Sequence, residues 1–164
     1  MKVLRQLRRE RVVYVGIEHH TCQQHQWAPS ATPIENLQSN NFMPLVMEAH
    51  QALGSSIPLA RCREIQVDLL NGDNRPGVIN LAVLLGHASA SSNQLYLGQQ
   101  PVLSSQPGQF GFKATAAPET LRFPIPNSSK LRGFDQITVL ILPDEANYDQ
   151  GSKVAIQQFQ LIPR

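Results

Sequence analysis

The densest group of metal-binding and nucleophilic side chains lies near the start of the chain. Three imidazoles and one thiol fall within seven residues: His19, His20, Cys22 and His25. Zinc and copper prefer such ligands in proteins. The spacing matches no established zinc pattern, so a site would need further ligands from His50, Cys62 or His87. The cluster is a weak candidate metal site, and the alternative is a polar loop that leaves the first strand.

Other arrangements that carry chemistry are scarce in this sequence. It contains no Gly-x-Ser-x-Gly element and no glycine-rich phosphate loop. Cys22 stands close to His20 and His25, but an activated thiol depends on geometry rather than on adjacency in sequence. The acidic residues are few, and no pair stands out as the two carboxylates of a glycosidase. We therefore predict a non-catalytic protein without a cofactor.

The charge distribution divides the chain into a short arm and a body. Residues 1–11 hold five basic residues and one acidic residue, whereas residues 12–164 hold nine basic and eleven acidic residues. We therefore predict a basic N-terminal arm over 1–11 and a single domain over 12–164. The body is nearly neutral, which excludes the broad basic face of a nucleic-acid-binding domain. The arm is either a solvated terminus or a segment that faces a membrane.

Composition indicates a folded globular domain. Hydrophobic residues make up 41% of the 164 residues, and the formal net charge is only +2. Disordered chains combine low hydrophobicity with high net charge, so this composition argues against disorder. No apolar run approaches the ~20 residues of a membrane-spanning helix, and no signal peptide is recognisable. Cys22 and Cys62 form no disulfide framework, and whether they pair stays open. The sequence therefore leaves the compartment undecided, and the chain could belong to a longer membrane protein.

Alternation of apolar and polar residues predicts a protein built almost entirely of strands. The predicted strands are 12–17, 64–70, 78–85, 94–97, 101–103, 120–125, 136–142 and 154–162, with a bulge near Gln157–Gln158. The segments 64–70 and 78–85 are predicted to form a hairpin with a long loop. Residues 42–53 fit a short helix or a strand, and the strands downstream favour a strand. Polar loops rich in Ser, Asn, Gly and Pro separate these runs, which favours an antiparallel β-sandwich of the jelly-roll kind.

One long stretch contains no charged side chain. No Asp, Glu, Lys or Arg stands between Arg75 and Lys113. Amides and hydroxyls must keep this stretch soluble. It is either a buried pair of strands with neutral loops or a neutral polar surface for a partner or a sugar.

The C-terminal half resembles a known class of domains. Residues 121–126 read Leu-Arg-Phe-Pro-Ile-Pro, residues 134–137 read Phe-Asp-Gln-Ile, and a last strand runs over 154–162. This succession is similar to the closing strands of galactose-binding-like and carbohydrate-binding-module jelly rolls, over about residues 43–163. It also resembles C-terminal domains of multi-span bacterial membrane proteins. The resemblance implies a binding module for carbohydrate or another neutral polar ligand.

Domains of this class bind sugars with exposed aromatic rings supported by amide, Arg or Asp groups. The aromatic residues in or near predicted loops are Trp27, Tyr96, Phe110 and Tyr148. Trp27 offers the largest stacking face, although each ring could instead serve packing. The resemblance also implies loop oxygens for a structural calcium ion, and the sequence offers Asp73, Asn74, Asp144, Glu145 and Asp149, for which ordinary turn roles are the alternative. A second hypothesis is a structural or interaction domain of a larger membrane-associated protein, with a protein partner or a second copy bound through 75–113.

Overall fold

The computed structural model shows a β-sandwich. It describes residues 11–14, 26–27, 35–37, 47–73, 75–105, 116–144 and 152–164. Within these ranges the strands are β1 (Arg11–Tyr14), β2 (Gln26–Trp27), β3 (Glu35–Leu37), β4 (Met47–Pro58), β5 (Cys62–Asn71), β6 (Ile79–His87), β7 (Ala90–Pro101), β8 (Ala117–Pro124), β9 (Gly133–Pro143) and β10 (Ser152–Pro163). A single 3-10 turn, Leu59–Arg61, joins β4 to β5.

The strands form two facing sheets. Sheet A has the order β1-β4-β9-β6-β7, and sheet B has the order β2-β10-β5-β8, with β3 also paired to β10. All pairs are antiparallel except β1 and β4, which run parallel. From β4 onwards the chain changes sheet at every connection except that between β6 and β7. This confirms the predicted all-β, jelly-roll-like sandwich, with one parallel pair at an edge of sheet A.

The predicted hairpin of residues 64–70 and 78–85 is wrong. These segments are β5 and β6, which lie in different sheets. β6 pairs with β7 instead, around a tight turn in which His87 stands opposite Ala90. Alternation reports which face of a strand is buried, but both sheets of a sandwich share one core, so the pattern is the same in either sheet.

The two short strands predicted over 94–97 and 101–103 are one continuous strand, β7. Gly98 has a φ of 112°, and the pairing with β6 shifts register between Tyr96 and Gly98. Glycine adopts this conformation without strain, so it marks a bulge here rather than the end of a strand. The loop predicted over 86–93 is likewise replaced by strand residues on both sides of the β6–β7 turn.

Residues 47–53 confirm the preference for a strand over a helix. Ala49, Gln51 and Leu53 are all at most 3% exposed, which is the period of two expected for a strand with one buried face. Residues 42–46 lie outside the described residues, as does all of the predicted arm except Arg11. No helix in the described ranges is long and apolar enough to cross a membrane.

The core lies between the two sheets. β5 contributes Ile65, Val67 and Leu69 from alternate positions, each at most 1% exposed. In β10 the alternation is interrupted, because Ile156 and Phe159 are both buried although three residues apart. The pairing with β5 shifts register between Ile156 and Gln158, which confirms the predicted bulge. The bulge lets β10 keep one apolar face despite the odd spacing.

Candidate functional site

The outward face of sheet B carries the most organised group of polar side chains in the described residues. Because Ile65, Val67 and Leu69 face the core, the intervening residues of β5 face outward. β8 and β10 add outward-facing residues next to them. The face comprises Glu64, Gln66, Asp68, Thr120, Arg122, Gln158 and Gln160, all partly or fully exposed.

Asp68 is the centre of this polar face. Its Oδ1 accepts a hydrogen bond from Thr120 Oγ1 of β8 at 2.5 Å. Its Oδ2 accepts bonds from Gln160 Nε2 at 2.9 Å and from Gln158 Nε2, both on β10. Hydrogen bonds to an ionised carboxylate are roughly twice as strong as those between neutral groups. The carboxylate therefore fixes the side chains of three adjacent strands in one arrangement.

A further hydrogen bond extends this arrangement along β5. Gln66 Nε2 donates to Glu64 Oε1 at 2.6 Å. Gln66 stands opposite Arg122 of β8 on one side and opposite Gln160 of β10 on the other. Gln26 of β2 is opposite Gln160, so these positions form a row across the four strands of sheet B.

This face presents several kinds of hydrogen-bonding group. The amide, hydroxyl and carboxylate groups offer donors and acceptors to a polar ligand. Glu64 and Asp68 are four residues apart on one strand, so their Cα atoms are about 13 Å apart.

Two of the four predicted aromatic residues lie in the described part of the chain, and they belong to different sheets. Trp27 is on β2 of sheet B, where its backbone pairs with that of Phe159, next to Gln160. Tyr96 is on β7 of sheet A, opposite Leu84, and is 53% exposed. Its neighbours Leu95 and Leu97 pack against the core. Phe110 and Tyr148 lie outside the described residues, so their binding role stays a prediction.

The predicted metal ligands His19, His20, Cys22 and His25 lie outside the described residues. The more distant candidates have other surroundings. His50 Nδ1 is 3.0 Å from Thr138 Oγ1, and its Nε2 is 3.4 Å from a Glu48 carboxylate oxygen. His87 Nδ1 is 3.2 Å from Asp135 Oδ2, and Cys62 is buried. Where side chains are described, no three His, Cys, Asp or Glu residues come together around one point.

Of the loop oxygens considered for calcium, Asp73 and Asp144 are described, and Asn74, Glu145 and Asp149 are not. Asp73 has a structural role in its turn: its Oδ1 accepts a bond from Lys153 N at 2.9 Å, and its own N–H donates to Asn71 Oδ1 at 2.9 Å. Its Oδ2 is buried without a hydrogen-bond partner. Burial raises the pKa of the Asp73 carboxyl, against the opposing effects of the Lys153 backbone hydrogen bond and the Lys153 charge.

The Asp68 cluster is the site that the sequence pattern did not reveal. Alternation places Glu64, Gln66 and Asp68 on the polar side of one strand, and Gln158 and Gln160 on another. It does not say that the two strands are neighbours. Their direct pairing brings together groups that are 90 and 92 residues apart in sequence.

No family model matches the sequence, and no curated protein matches it. The structure is similar to an insecticidal δ-endotoxin, Cry8Ea1 from Bacillus thuringiensis, with 15% identity and a TM-score of 0.38 over 77% of this chain and 22% of that one. It is also similar to the VP2 subviral particle of infectious bursal disease virus, with 14% identity and a TM-score of 0.32 over 87% of this chain and 41% of that one. This chain spans about a fifth of the endotoxin and two fifths of VP2. Identities this low concern the fold alone.

Proposed function

We propose that this protein is a non-catalytic binding module for a carbohydrate or another neutral polar ligand. The ligand binds to the outward face of sheet B. The observation that carries the proposal is the Asp68 carboxylate, which holds Thr120, Gln158 and Gln160 in one arrangement. Side chains fixed in this way lose little conformational entropy when a ligand binds. The resemblance to galactose-binding-like jelly rolls supports the same assignment.

The groups on this face match the hydroxyl groups of a sugar. A carboxylate and an amide each present two polar atoms at one end of a side chain, and adjacent sugar hydroxyls present donors and acceptors at similar separations. Glu64 and Asp68 against Arg122 leave the face with little net charge. Trp27 of β2 is opposite the buried Phe159, and directly paired residues share one face of a sheet, so this register does not place Trp27 beside the outward polar face.

A thermal-shift screen against mono- and oligosaccharides tests the proposal, with calcium, zinc and chelator in parallel wells. A ligand present at 100 times its Kd stabilises the folded state by about 2.7 kcal/mol. In a domain of this size that corresponds to a rise in Tm of about 5–11 °C. Any sugar that shifts the Tm is then titrated calorimetrically.

Two variants locate the site on sheet B. Asp68→Asn keeps the side-chain shape but removes the carboxylate, and we expect it to weaken sugar binding at least tenfold. Gln160→Ala, which removes one of the donors to Asp68, is expected to weaken binding by a similar factor. The matched control is Asp135→Asn on sheet A, where the carboxylate contacts His87 and the Ala88 amide, and we expect its sugar affinity to equal that of the wild type. A flat screen contradicts the proposal, as does equal binding by Asp68→Asn and the wild type.

A further inference from the structure

The outer edge of sheet A is formed by β7, which is an unusual edge strand. It is the last strand in the sheet order, and it spans twelve residues. An edge strand presents unpaired backbone N–H and C=O groups, and natural proteins usually protect such edges with charged side chains, proline or bulges. β7 has bulges and ends on Pro101, but no charged residue occurs anywhere between Arg75 and Lys113.

The exposed apolar residues gather at the same place. Across the described residues, the large hydrophobic side chains that are exposed are Tyr96 at 53% and Leu103 at 60%. Tyr96 is on β7, and Leu103 follows its end by two residues. Among the exposed side chains from residue 93 to residue 103 are the neutral amides Asn93, Gln94 and Gln99. The edge is therefore an uncharged surface with Tyr96 exposed near its middle, and Leu103 lies just beyond its C-terminal end.

The C-terminal end of β7 is tied to sheet B, whereas no strand in the described part of the chain pairs with the outer side of its earlier part. Gln100 Nε2 donates to the backbone oxygen of Arg122 on β8 at 2.5 Å. Just beyond β7, the N–H groups of Leu103 and Ser104 donate to the Glu119 carboxylate at 3.2 and 2.8 Å. These contacts join the two sheets at this side of the sandwich. The open part of the edge is then the portion up to Gln99.

We propose that two copies of this chain associate edge to edge through β7. Two antiparallel strands related by a two-fold axis present the same residues to each other, so one surface serves both subunits. Because this surface has no charge, two copies can approach each other there without repulsion between like charges. A charged partner would find no opposite charge on this surface. An interface made by one edge strand from each copy is small, and small interfaces are typical of transient complexes, so we expect a Kd in the micromolar range.

Sedimentation velocity of the full chain over a series of micromolar concentrations tests the proposal. We expect a concentration-dependent dimer. The double variant with Tyr96→Lys and Gln99→Lys places like charges on both edges, and we expect its dimer Kd to rise at least tenfold. The corresponding double variant with Tyr96→Glu and Gln99→Glu is expected to be monomeric alone. An equimolar mixture of the two should form a heterodimer, because the introduced charges then attract.

The matched control adds two lysines at exposed positions outside this edge, Ala60→Lys and Ser128→Lys. This variant should dimerise as the wild type does. A wild-type chain that stays monomeric at every concentration overturns the proposal. A dimer that both double variants leave intact also overturns it, because its interface then lies elsewhere. Comparing circular dichroism melts of all variants shows whether a lost dimer reflects the edge or a loss of folding.

Discussion

Two aspartates show how position decides the behaviour of one side chain. Asp68 lies on an open face and accepts hydrogen bonds from three side chains. Asp73 is 9% exposed, and one of its two carboxylate oxygens has no hydrogen-bond partner. A buried carboxylate without full hydrogen bonding is destabilised in its charged form. Both carboxylate oxygens of Asp68 therefore have hydrogen-bond partners, whereas Asp73 lowers the stability of the folded state when it is ionised.

The buried position of Asp73 leads to a pH-dependent prediction. Because its pKa is raised in the folded state, folded protein holds the proton more tightly than unfolded protein. Its contribution to stability is therefore fully present below the ordinary aspartate pKa of 3.8, and it is lost as the pH rises through the folded-state value. Asp73→Asn keeps an oxygen for Lys153 N and removes the charge. We expect the variant to gain stability relative to the wild type as the pH rises from 4 to 7.

Urea unfolding of Asp73→Asn and of the wild type at both pH values measures this difference. The wild type is the control at each pH, because all other titrating groups are shared by the two proteins. A free-energy difference between them that stays constant from pH 4 to pH 7 would show that Asp73 has the same pKa in the folded and unfolded chain.

At the residue scale, the sequence predicted which face of a strand a side chain occupies better than it predicted which side chains are in contact. The predicted strand over 94–97 places Tyr96 between Leu95 and Leu97, and in β7 these two leucines pack against the core while Tyr96 is exposed. The partners of Asp68 could not be predicted, because they lie 52, 90 and 92 residues away. Such contacts depend on the strand order, which leaves no trace in the local pattern of a single strand.

At the scale of the strand, the bulge in β10 explains an irregular sequence pattern. Ile156 and Phe159 are both 1% exposed although they are three positions apart, and the bulge takes up the additional residue. It could be predicted because the apolar spacing changes from two to three at that point. The sheet to which each strand belongs could not be predicted in this way, which is why the expected pairing of β5 with β6 was wrong.

The bulge predicts an uneven tolerance to deletions. Removing Gln157 leaves Ile156 and Phe159 two positions apart, so every core residue of β10 keeps its direction, and we expect a folded protein. Removing Gln66 from the central strand β5 turns Val67 outward and Asp68 inward, because a one-residue slip exchanges the two faces of a strand. We expect this second variant to be unfolded. Thermal unfolding followed by circular dichroism compares the two, and equal losses of Tm would show that the bulge does not absorb the deletion.

At the scale of the molecule, the two sheets combine strands from distant parts of the chain. β9 lies between β4 and β6 in sheet A, and β10 lies between β2 and β5 in sheet B. In the described residues, β6 and β7 are the strands that pair across a short turn. The strand content was predictable from alternation and loop composition, but this arrangement was not, because it is decided by which sheet each connection reaches.

The distant pairings predict slow folding. Loop-closure entropy must be lost before contacts between distant segments stabilise the chain, and sandwiches with such contacts fold in milliseconds to seconds. We expect refolding in that range by stopped-flow fluorescence after dilution from denaturant. The dependence of the folding and unfolding rates on denaturant should show that most surface is already buried in the transition state. Complete refolding in microseconds would contradict this expectation.

The interior positions of β9 and β10 in their sheets also affect folding during synthesis. Ribosomes add about 5–20 residues each second, so β4 to β8 emerge seconds before the strands that must lie between them. During that interval the apolar faces of β4, β5 and β6 lack the neighbours that β9 and β10 later provide. We therefore expect a chain that stops before residue 133 to form no smaller domain, because each sheet then lacks one of its interior strands.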